Sequence, residues 1–324
     1  MNYRILYLIL SLLLSCHQPM KKKLVIAHRG ASGYLPEHTL ESKKLAFSMN
    51  ADYIEQDVVL SKDDVPVVIH DIYLDDVTDV AQKFPQRQRA DGRFYVIDFD
   101  MKELRTLQVS ERFDPKSQKQ VYPNRYPMKQ GNFHLHSLEE EIELIQKLNK
   151  ETGKQIGIYP EIKEPGFHQR EGKDLTAVVL KVLTNYGYTK KSDPCILQCF
   201  DANELERIRT ELRSDLFLVQ LIDSPDEAKR LAHYATYADG IGPWYQQIVA
   251  GKKEGKWQFS TLVSEAKSLG LKVHAYTFRA DALGDFSSFE ELLQTLLIEA
   301  DIDGAFTDFP DKVVNFLKEK ESYN

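Results

Sequence analysis

Residues 51–71 read ADYIEQDVVLSKDDVPVVIHD. Two apolar runs, Tyr53–Leu60 and Val65–His70, are separated only by Ser61, Lys62, Asp63 and Asp64. A parallel crossover needs a dozen or more residues. The polar quartet therefore reads as a hairpin turn, and the second run must return antiparallel to the first. Pairing Leu60 with Val65 makes Glu55 the partner of His70, so the turn carries His70 back to the level of Glu55. Glu55 and Asp57, two apart on a strand, share one face.

Short apolar runs continue on either side of this hairpin. Strands are expected at Leu24–His28, Ile156–Glu161, Cys195–Phe200, Leu216–Leu221, Gly240–Gly242, Lys272–Thr277 and Gly304–Thr307. With Tyr53–Leu60 they make eight parallel strands, leaving Val65–His70 as an antiparallel finger. Helical patterns lie between many of them. Ser137-Leu-Glu-Glu140 is a capping box opening a helix over Leu138–Lys150. Asn203–Leu212 and Thr261–Leu269 have apolar residues at helical spacing, the latter stopped by Gly270. Strand–helix alternation of this kind predicts a (β/α)8 barrel of TIM type spanning 24–71 and 134–324. The polar stretch 72–133 breaks the alternation, with one weakly amphipathic piece at Met101–Leu107. It reads as an insertion lying over the barrel mouth.

The ends of these strands carry unusual chemistry. Glu55, Asp57 and Glu161 form an oxygen-only trio suited to Ca²⁺, with Mg²⁺ as the other hard cation. Taken alone, they could equally be solvated strand-end acids. His28 and His70 could divide base and acid duties in proton transfer, or be ordinary strand-end histidines. Arg29 could hold phosphate oxygens bidentately, or form a salt bridge to Glu37. Lys163 shares the face of Glu161 and could add a second cation. His134-Leu-His136 lies in polar sequence and reads as an exposed pair. Cys195 and Cys199, four apart on a strand, would be roughly 13 Å apart, too far to bridge, and are expected as buried free thiols.

The chain of 324 residues is long enough for one large core, and its formal charge is −7. Positive charges are dispersed apart from Lys21-Lys22-Lys23, which argues against a nucleic-acid partner. At the N-terminus, Arg4 and the apolar Ile5–Leu14 form a processing signal too short to be a permanent span. Leu13-Leu14-Ser15-Cys16 resembles a bacterial lipobox. The expectation is a lipoprotein signal peptide at 1–15, lipidation of Cys16, and a short tether at 16–23.

HRGASGYLPEHT, then ADYIEQDVVLSKDDVPVVIHD, then YPEIK closely resemble the glycerophosphodiester phosphodiesterases. DDVTDV, FPQRQRADGRFYVIDF, GIGPW, HAYTFR and DGAFTDFP look like their bacterial periplasmic and lipoprotein branch. The resemblance implies a β/α barrel that hydrolyses small glycerophosphodiesters to glycerol 3-phosphate and an alcohol. It implies Glu55, Asp57 and Glu161 as metal ligands, with Ca²⁺ expected. It also implies His28 and His70 as catalytic histidines and Arg29 as the phosphate arginine. Phe200, Trp244 and Tyr276 fall at later strand ends and are candidates for the glycerol pocket. His38 replaces the asparagine of many relatives, as is usual in this branch. The resulting expectation is an exported enzyme, anchored by lipid to the cell-envelope membrane. Two rivals remain: a relative acting on polymers or lysophospholipids, and a surface lipoprotein with a protein-binding role at the cell surface.

Overall fold

The computed structural model describes residues 21–322. The expected signal peptide at 1–15, Cys16 and most of the expected tether lie outside the described residues. Among the described residues there are eleven strands: β1 (Leu24–Ala27), β2 (Tyr53–Leu60), β3 (Pro66–Val68), β4 (Gly157–Ile162), β5 (Ile196–Cys199), β6 (Phe217–Ile222), β7 (Gly240–Pro243), β8 (Val249–Lys253), β9 (Lys256–Phe259), β10 (Lys272–Phe278) and β11 (Gly304–Thr307). Nine of them form one sheet in the order β1-β11-β10-β7-β6-β5-β4-β2-β3, which β1 and β2 close by pairing directly. Every pairing in it is parallel except that of β3 with β2. Removing β3 leaves the eight-stranded barrel.

The hairpin is present, but its register is one residue away from the expected one. Leu60 pairs with Pro66 and Val58 with Val68. Ser61 N–H donates to Val65 O at 3.0 Å, and Asp64 sits at φ 59°. The loop is therefore three residues closed by Ser61 and Val65, with its last residue left-handed, a common hairpin solution. Ladder pairing stops soon after, with Ile69 N–H donating to Asp57 O. His70 thus leaves the strand rather than pairing with Glu55.

Side chains inside a barrel alternate with outward ones along each strand. Ile26, Tyr159, Ile196, Val219 and Phe306 fill the interior as one buried cluster. Two residues further along come Glu161, Gln198 and Leu221 on their strands, with His28 and Asp308 just past the ends of β1 and β11. Polar chemistry therefore sits one layer above a packed apolar plug, at the C-terminal ends. The outward faces pack against helices including Leu40–Ser48, Leu138–Thr152, Leu175–Asn185, Ala202–Thr210 and Pro310–Ser322. The capping box of Leu138–Thr152 is formed reciprocally by Ser137 and Glu140, and left-handed Gly153 ends the helix. Cys195 and Cys199 are buried and free. Among the described residues no helix is long and apolar enough to cross a membrane.

Residues 72–133 carry little regular structure but have a core of their own. Leu74, Val80, Phe94, Phe99, Leu104 and Leu107 pack on Val59, Val67 and Ile69, the outer face of the hairpin. The segment's polar composition misleads because several of its arginines lie over aromatic rings. Arg87 covers Phe99, Arg89 covers Tyr95 and Arg93 covers Tyr73, at 4.3, 4.1 and 3.9 Å from guanidinium carbon to ring centre. Such stacking buries the aliphatic stems and keeps the charge paired. His136 corrects another expectation: it is buried and bonds Glu141 at 2.8 Å, whereas His134 is exposed. The exposed hairpin β8–β9 was not expected from sequence; its strands are too polar to show an apolar period.

Ser137→Ala removes the side-chain acceptor of the capping box and should lower stability by about 1 kcal/mol. The measurement is the urea midpoint at unchanged slope; an unshifted midpoint would show that the helix start is held by packing alone.

Candidate active site

The His28-Arg29-Gly30 turn follows β1. Arg29 and Gly30 both have positive φ, 57° and 89°. A Cβ on Gly30 would lie 2.9 Å from the Ser42 carbonyl carbon, so the turn can close onto the following helix only with glycine. Folding back in this way aims the Arg29 backbone N–H at Glu55 Oε2, 2.8 Å away. His28, Arg29, Glu55, Asp57, His70, Glu161, Lys163, Phe200, Trp244 and Tyr276 all line one cavity of about 180 Å³. The structure thus gathers every expected barrel-mouth residue around one space.

Glu55, Asp57 and Glu161 each offer an oxygen, and these oxygens lie within 4.8 Å of one another. All three side chains are buried. Burial, together with repulsion from Asp57 and Glu161, pushes the Glu55 carboxyl well above the ordinary range. Burial pushes Glu161 up to about 8, against the opposing pull of Lys163 Nζ at 2.8 Å. Asp57 behaves oppositely. Burial would raise it, but Lys163 and His70 hold it well below its usual value. Its two oxygens also differ. Oδ2 bonds His38 Nε2 at 2.7 Å, whereas Oδ1 is buried and accepts no hydrogen bond. Three close carboxylates, two resisting ionisation and one with an orphaned oxygen, fit a hard divalent cation.

The groups behind this trio hold it in place. Lys43, fully buried, lies 3.2 Å from His38 Nδ1 and 3.0 Å from Glu141 Oε1, and also donates to Glu55 O. An ammonium has only donors, so His38 Nδ1 accepts and its Nε2–H donates to Asp57. Burial and Lys43 lower His38 to about 3, which keeps this ring neutral. Gln198 Nε2 donates to Glu55 Oε1 at 3.0 Å. Supports of this kind orient the carboxylates for a cation.

Each histidine of the pocket bonds a carboxylate through Nδ1. His28 Nδ1 is 2.6 Å from Asp308 Oδ1 and His70 Nδ1 is 2.8 Å from Asp71 Oδ1. Burial would raise both acids. Arg279 and His28 hold Asp308 far below its usual value, while His70 and Arg112 hold Asp71 down. Both acids are therefore acceptors, Nδ1 carries the proton in both rings, and Nε2 is the unprotonated nitrogen. His28 Nε2 lies 3.9 Å from Glu55 Oε2, and His70 Nε2 lies 3.5 Å from Lys163 Nζ. Burial lowers both rings to about 4, so both are neutral near pH 7. In the free site burial outweighs the neighbouring carboxylates.

Arg29 forms the expected salt bridge to Glu37 and keeps one donor unused. Its guanidinium contacts Glu37 at 2.9 Å and approaches Asp57 at 3.6 Å, yet its buried Nε has no hydrogen-bond partner. Phe200 and Tyr276 meet edge to face at 5.9 Å between ring centres, while Trp244 is 41% exposed at the rim. Asp308, Gln198, Arg112, Arg125 and Arg279 were missed from sequence. Gln198 was detectable, as the one polar residue in Cys-Ile-Leu-Gln-Cys. Asp308 follows the last strand as Glu161 ends its own, inside the quoted DGAFTDFP. The two arginines of the insertion gave no signal, because only the fold brings them to the barrel.

The Glycerophosphoryl diester phosphodiesterase family matches residues 28–312. A glycerophosphodiester phosphodiesterase of Haemophilus influenzae is 48% identical over 93% of this chain and 91% of its own length. One of Treponema pallidum is 39% identical over 93% and 94%. Among solved structures, a glycerophosphoryl diester phosphodiesterase of Silicibacter pomeroyi superposes with TM-score 0.72 at 23% identity, covering 94% of this chain and 95% of that one. A phosphodiesterase of Oleispira antarctica, solved with the product sn-glycerol-3-phosphate, superposes with TM-score 0.63 at 23% identity, covering 91% and 96%.

A stability test follows from Glu161. Its unfolded value is near 4.5 and its folded value about 8. The folded state is therefore progressively disfavoured as pH rises from 4.5 to 8 in cation-free protein. Glu161→Gln should raise the melting temperature of metal-free protein at pH 7.5 and abolish the further rise that a divalent cation produces in the parent. A variant that melts lower, or that keeps the cation-induced rise, would remove Glu161 from the cation site.

A one-residue turn correction aside, the barrel, the carboxylate trio and the two histidines converge with the sequence match over residues 28–312, and the chain belongs to the glycerophosphoryl diester phosphodiesterase family.

Proposed function

We propose that the protein hydrolyses glycerophosphodiesters to glycerol 3-phosphate and an alcohol, using Glu55, Asp57 and Glu161 to hold a calcium ion. The observation that carries this reading is the buried trio beside two neutral histidines whose Nε2 atoms are bare of protons and face the pocket. Calcium is favoured over magnesium because three carboxylates converge, whereas magnesium is commonly held by one or two. When bound, the ion supplies positive charge against the phosphate oxygens.

The chain's own groups divide the remaining work. Arg29, with its orphaned Nε, and Lys163 present positive charge to the phosphate. His28 Nε2, with no hydrogen-bonded donor beside it, acts as base on the attacking oxygen. His70 is the acid: its Nε2, bare in the free site and 3.5 Å from Lys163 Nζ, takes a proton from solvent, which the anionic phosphodiester beside it favours, and gives it to the leaving alkoxide. Phe200, Tyr276 and Trp244 form the apolar wall for the glycerol backbone. With recognition centred on the glycerol phosphate, the alcohol can vary.

We further propose an envelope lipoprotein, lipidated at Cys16 after loss of residues 1–15. The outer membrane is favoured in a Gram-negative cell, because His17 rather than aspartate follows the cysteine. β1 starts at Leu24, so a tether of residues 16–23 would enter the barrel at the end opposite the pocket. The mouth would then face away from the anchoring membrane, which suits soluble diesters over membrane lipids.

The deciding experiment is product formation from glycerophosphocholine with and without chelator. Activity should vanish on chelation and return with calcium; full activity in metal-free protein would overturn the metal role. In the same assay, His28→Ala should lose about 10²–10⁴-fold on both glycerophosphocholine and an activated p-nitrophenyl diester. His70→Ala should lose that much only on glycerophosphocholine, since p-nitrophenolate leaves without protonation. The opposite pattern would exchange the roles.

Cys16→Ser should leave the protein unlipidated, whereas the parent partitions with membranes through its acyl chains. An unmodified, soluble parent protein would refute the anchor.

A further inference from the structure

The inserted segment places one arginine on each histidine's carboxylate. Asp71 bonds His70 through Oδ1, and its Oδ2 lies 2.8 Å from Arg112 NH1. Asp308 bonds His28 through Oδ1, and its Oδ2 accepts from Arg125 NH2 at 2.7 Å. The two arrangements repeat one logic: ring Nδ1, near carboxylate oxygen, far oxygen, guanidinium of residues 72–133. Each arginine is itself anchored. Arg112 donates to Glu37 through Nε and NH2 at 3.2 and 2.6 Å. Arg125 is buried, donates to Asp281 at 2.8 and 3.1 Å and to Ser32 O at 3.4 Å, and lies over the Tyr122 ring at 3.7 Å.

Given His28 and His70 as the proton-transfer pair, we propose that Arg112 and Arg125 are positioning residues through which the inserted segment locks both rings in the Nδ1–H tautomer with Nε2 facing the pocket. A carboxylate can rotate about its Cβ–Cγ bond unless both oxygens are held. Pinning the far oxygen fixes the plane of the near one, and hence the direction of the imidazole. The same principle operates in hydrolase triads, where a buried carboxylate selects the histidine tautomer. The segment thereby becomes part of the catalytic apparatus without touching substrate.

The two sides differ in a way that can be tested. Asp308 Oδ2 also accepts from Arg279 Nε at 2.8 Å, so its hold survives in part without Arg125. Asp71 has only Arg112 as its guanidinium partner among the described residues. Arg112 also fixes Glu37, which bonds Arg29 at 2.9 Å. Loss of Arg112 should therefore disturb phosphate binding as well as His70, while loss of Arg125 should disturb His28 alone, and less.

The test combines kinetics with histidine-selective ¹⁵N NMR, which reads ring tautomers without substrate. In the parent, the His28 and His70 rings should both be protonated at Nδ1 and bare at Nε2. Arg112→Gln should shift the His70 ring toward the other tautomer, lower kcat about 10–100-fold and raise KM. Arg125→Gln should alter the His28 ring only, with a smaller loss of kcat and unchanged KM. Arg112→Lys and Arg125→Lys keep the charge but not the fork, and should fall between parent and Gln variants. They decide the matter if the Gln variants do not fold. Unchanged tautomers and kcat with a lowered melting temperature would show that the arginines only fasten the segment, and overturn the proposal. Nε2-protonated rings in the parent would do the same. A parent that fails to cleave glycerophosphocholine would sink the activity while leaving the NMR result standing, so the two failures are distinguishable.

Discussion

Three carboxylates are buried side by side at one end of the barrel, and much of the mouth is arranged around that fact. Burying a charge is costly unless it is paired, and Glu55, Asp57 and Glu161 are mutually repulsive. The fold answers with groups at fixed points. Lys163 meets Glu161, His38 meets Asp57, and the Arg29 backbone and Gln198 meet Glu55. This compensation is partial: Glu55 and Glu161 resist ionisation, and Asp57 keeps one bare oxygen. The residual deficit is what a cation fits.

Rigidity for this cluster comes from the layers beneath and behind it. Below lies the apolar plug containing Tyr159, Val219 and Phe306. Behind, the fully buried Lys43 joins the backbone of Glu55 to His38 and, through Glu141, to His136 at the start of a long helix. A lysine ammonium so placed would be untenable alone. Here it works as a three-way donor that sets the His38 tautomer and leaves Asp57 one oxygen for another partner. Packing and polar satisfaction thus converge on the same few strand ends, as expected of a preorganised site.

The inserted segment links stability and chemistry. Its small core rests on the outer face of the hairpin, so the strand that delivers His70 is sandwiched between barrel and insertion. Arg112 and Arg125 extend from it to the rim on separate sides of the mouth. A barrel with this segment displaced would keep its carboxylates but lose the guanidinium contacts to Asp71 and the Arg125 contact to Asp308.

Much of this was legible in the residues themselves. The short gap at Ser61–Asp64 forces an antiparallel finger, alternation along β2 puts Glu55 and Asp57 on one face, and Ser137 with Glu140 opens a helix; these are local rules acting over a few residues. The exact hairpin register was not legible, because it depends on Asp64 adopting a left-handed conformation that makes Ser61 and Val65 the closing pair. Nor was the burial of His136, since alternation shows which residues share a face but not which face is covered. The lowering of both histidines comes from burial at the mouth together with the Arg29 charge beside them, both properties of the closed barrel. Arg112 and Arg125 stand in a polar stretch with no period to mark them, and they meet Asp71 and Asp308 only after residues 72–133 fold across the hairpin. The sequence by itself determined which strands close the barrel and which acids and histidines crown it, because spacing and alternation act locally. Only the tertiary structure decided how those groups are charged and held, because burial and pairing depend on residues far apart in the chain.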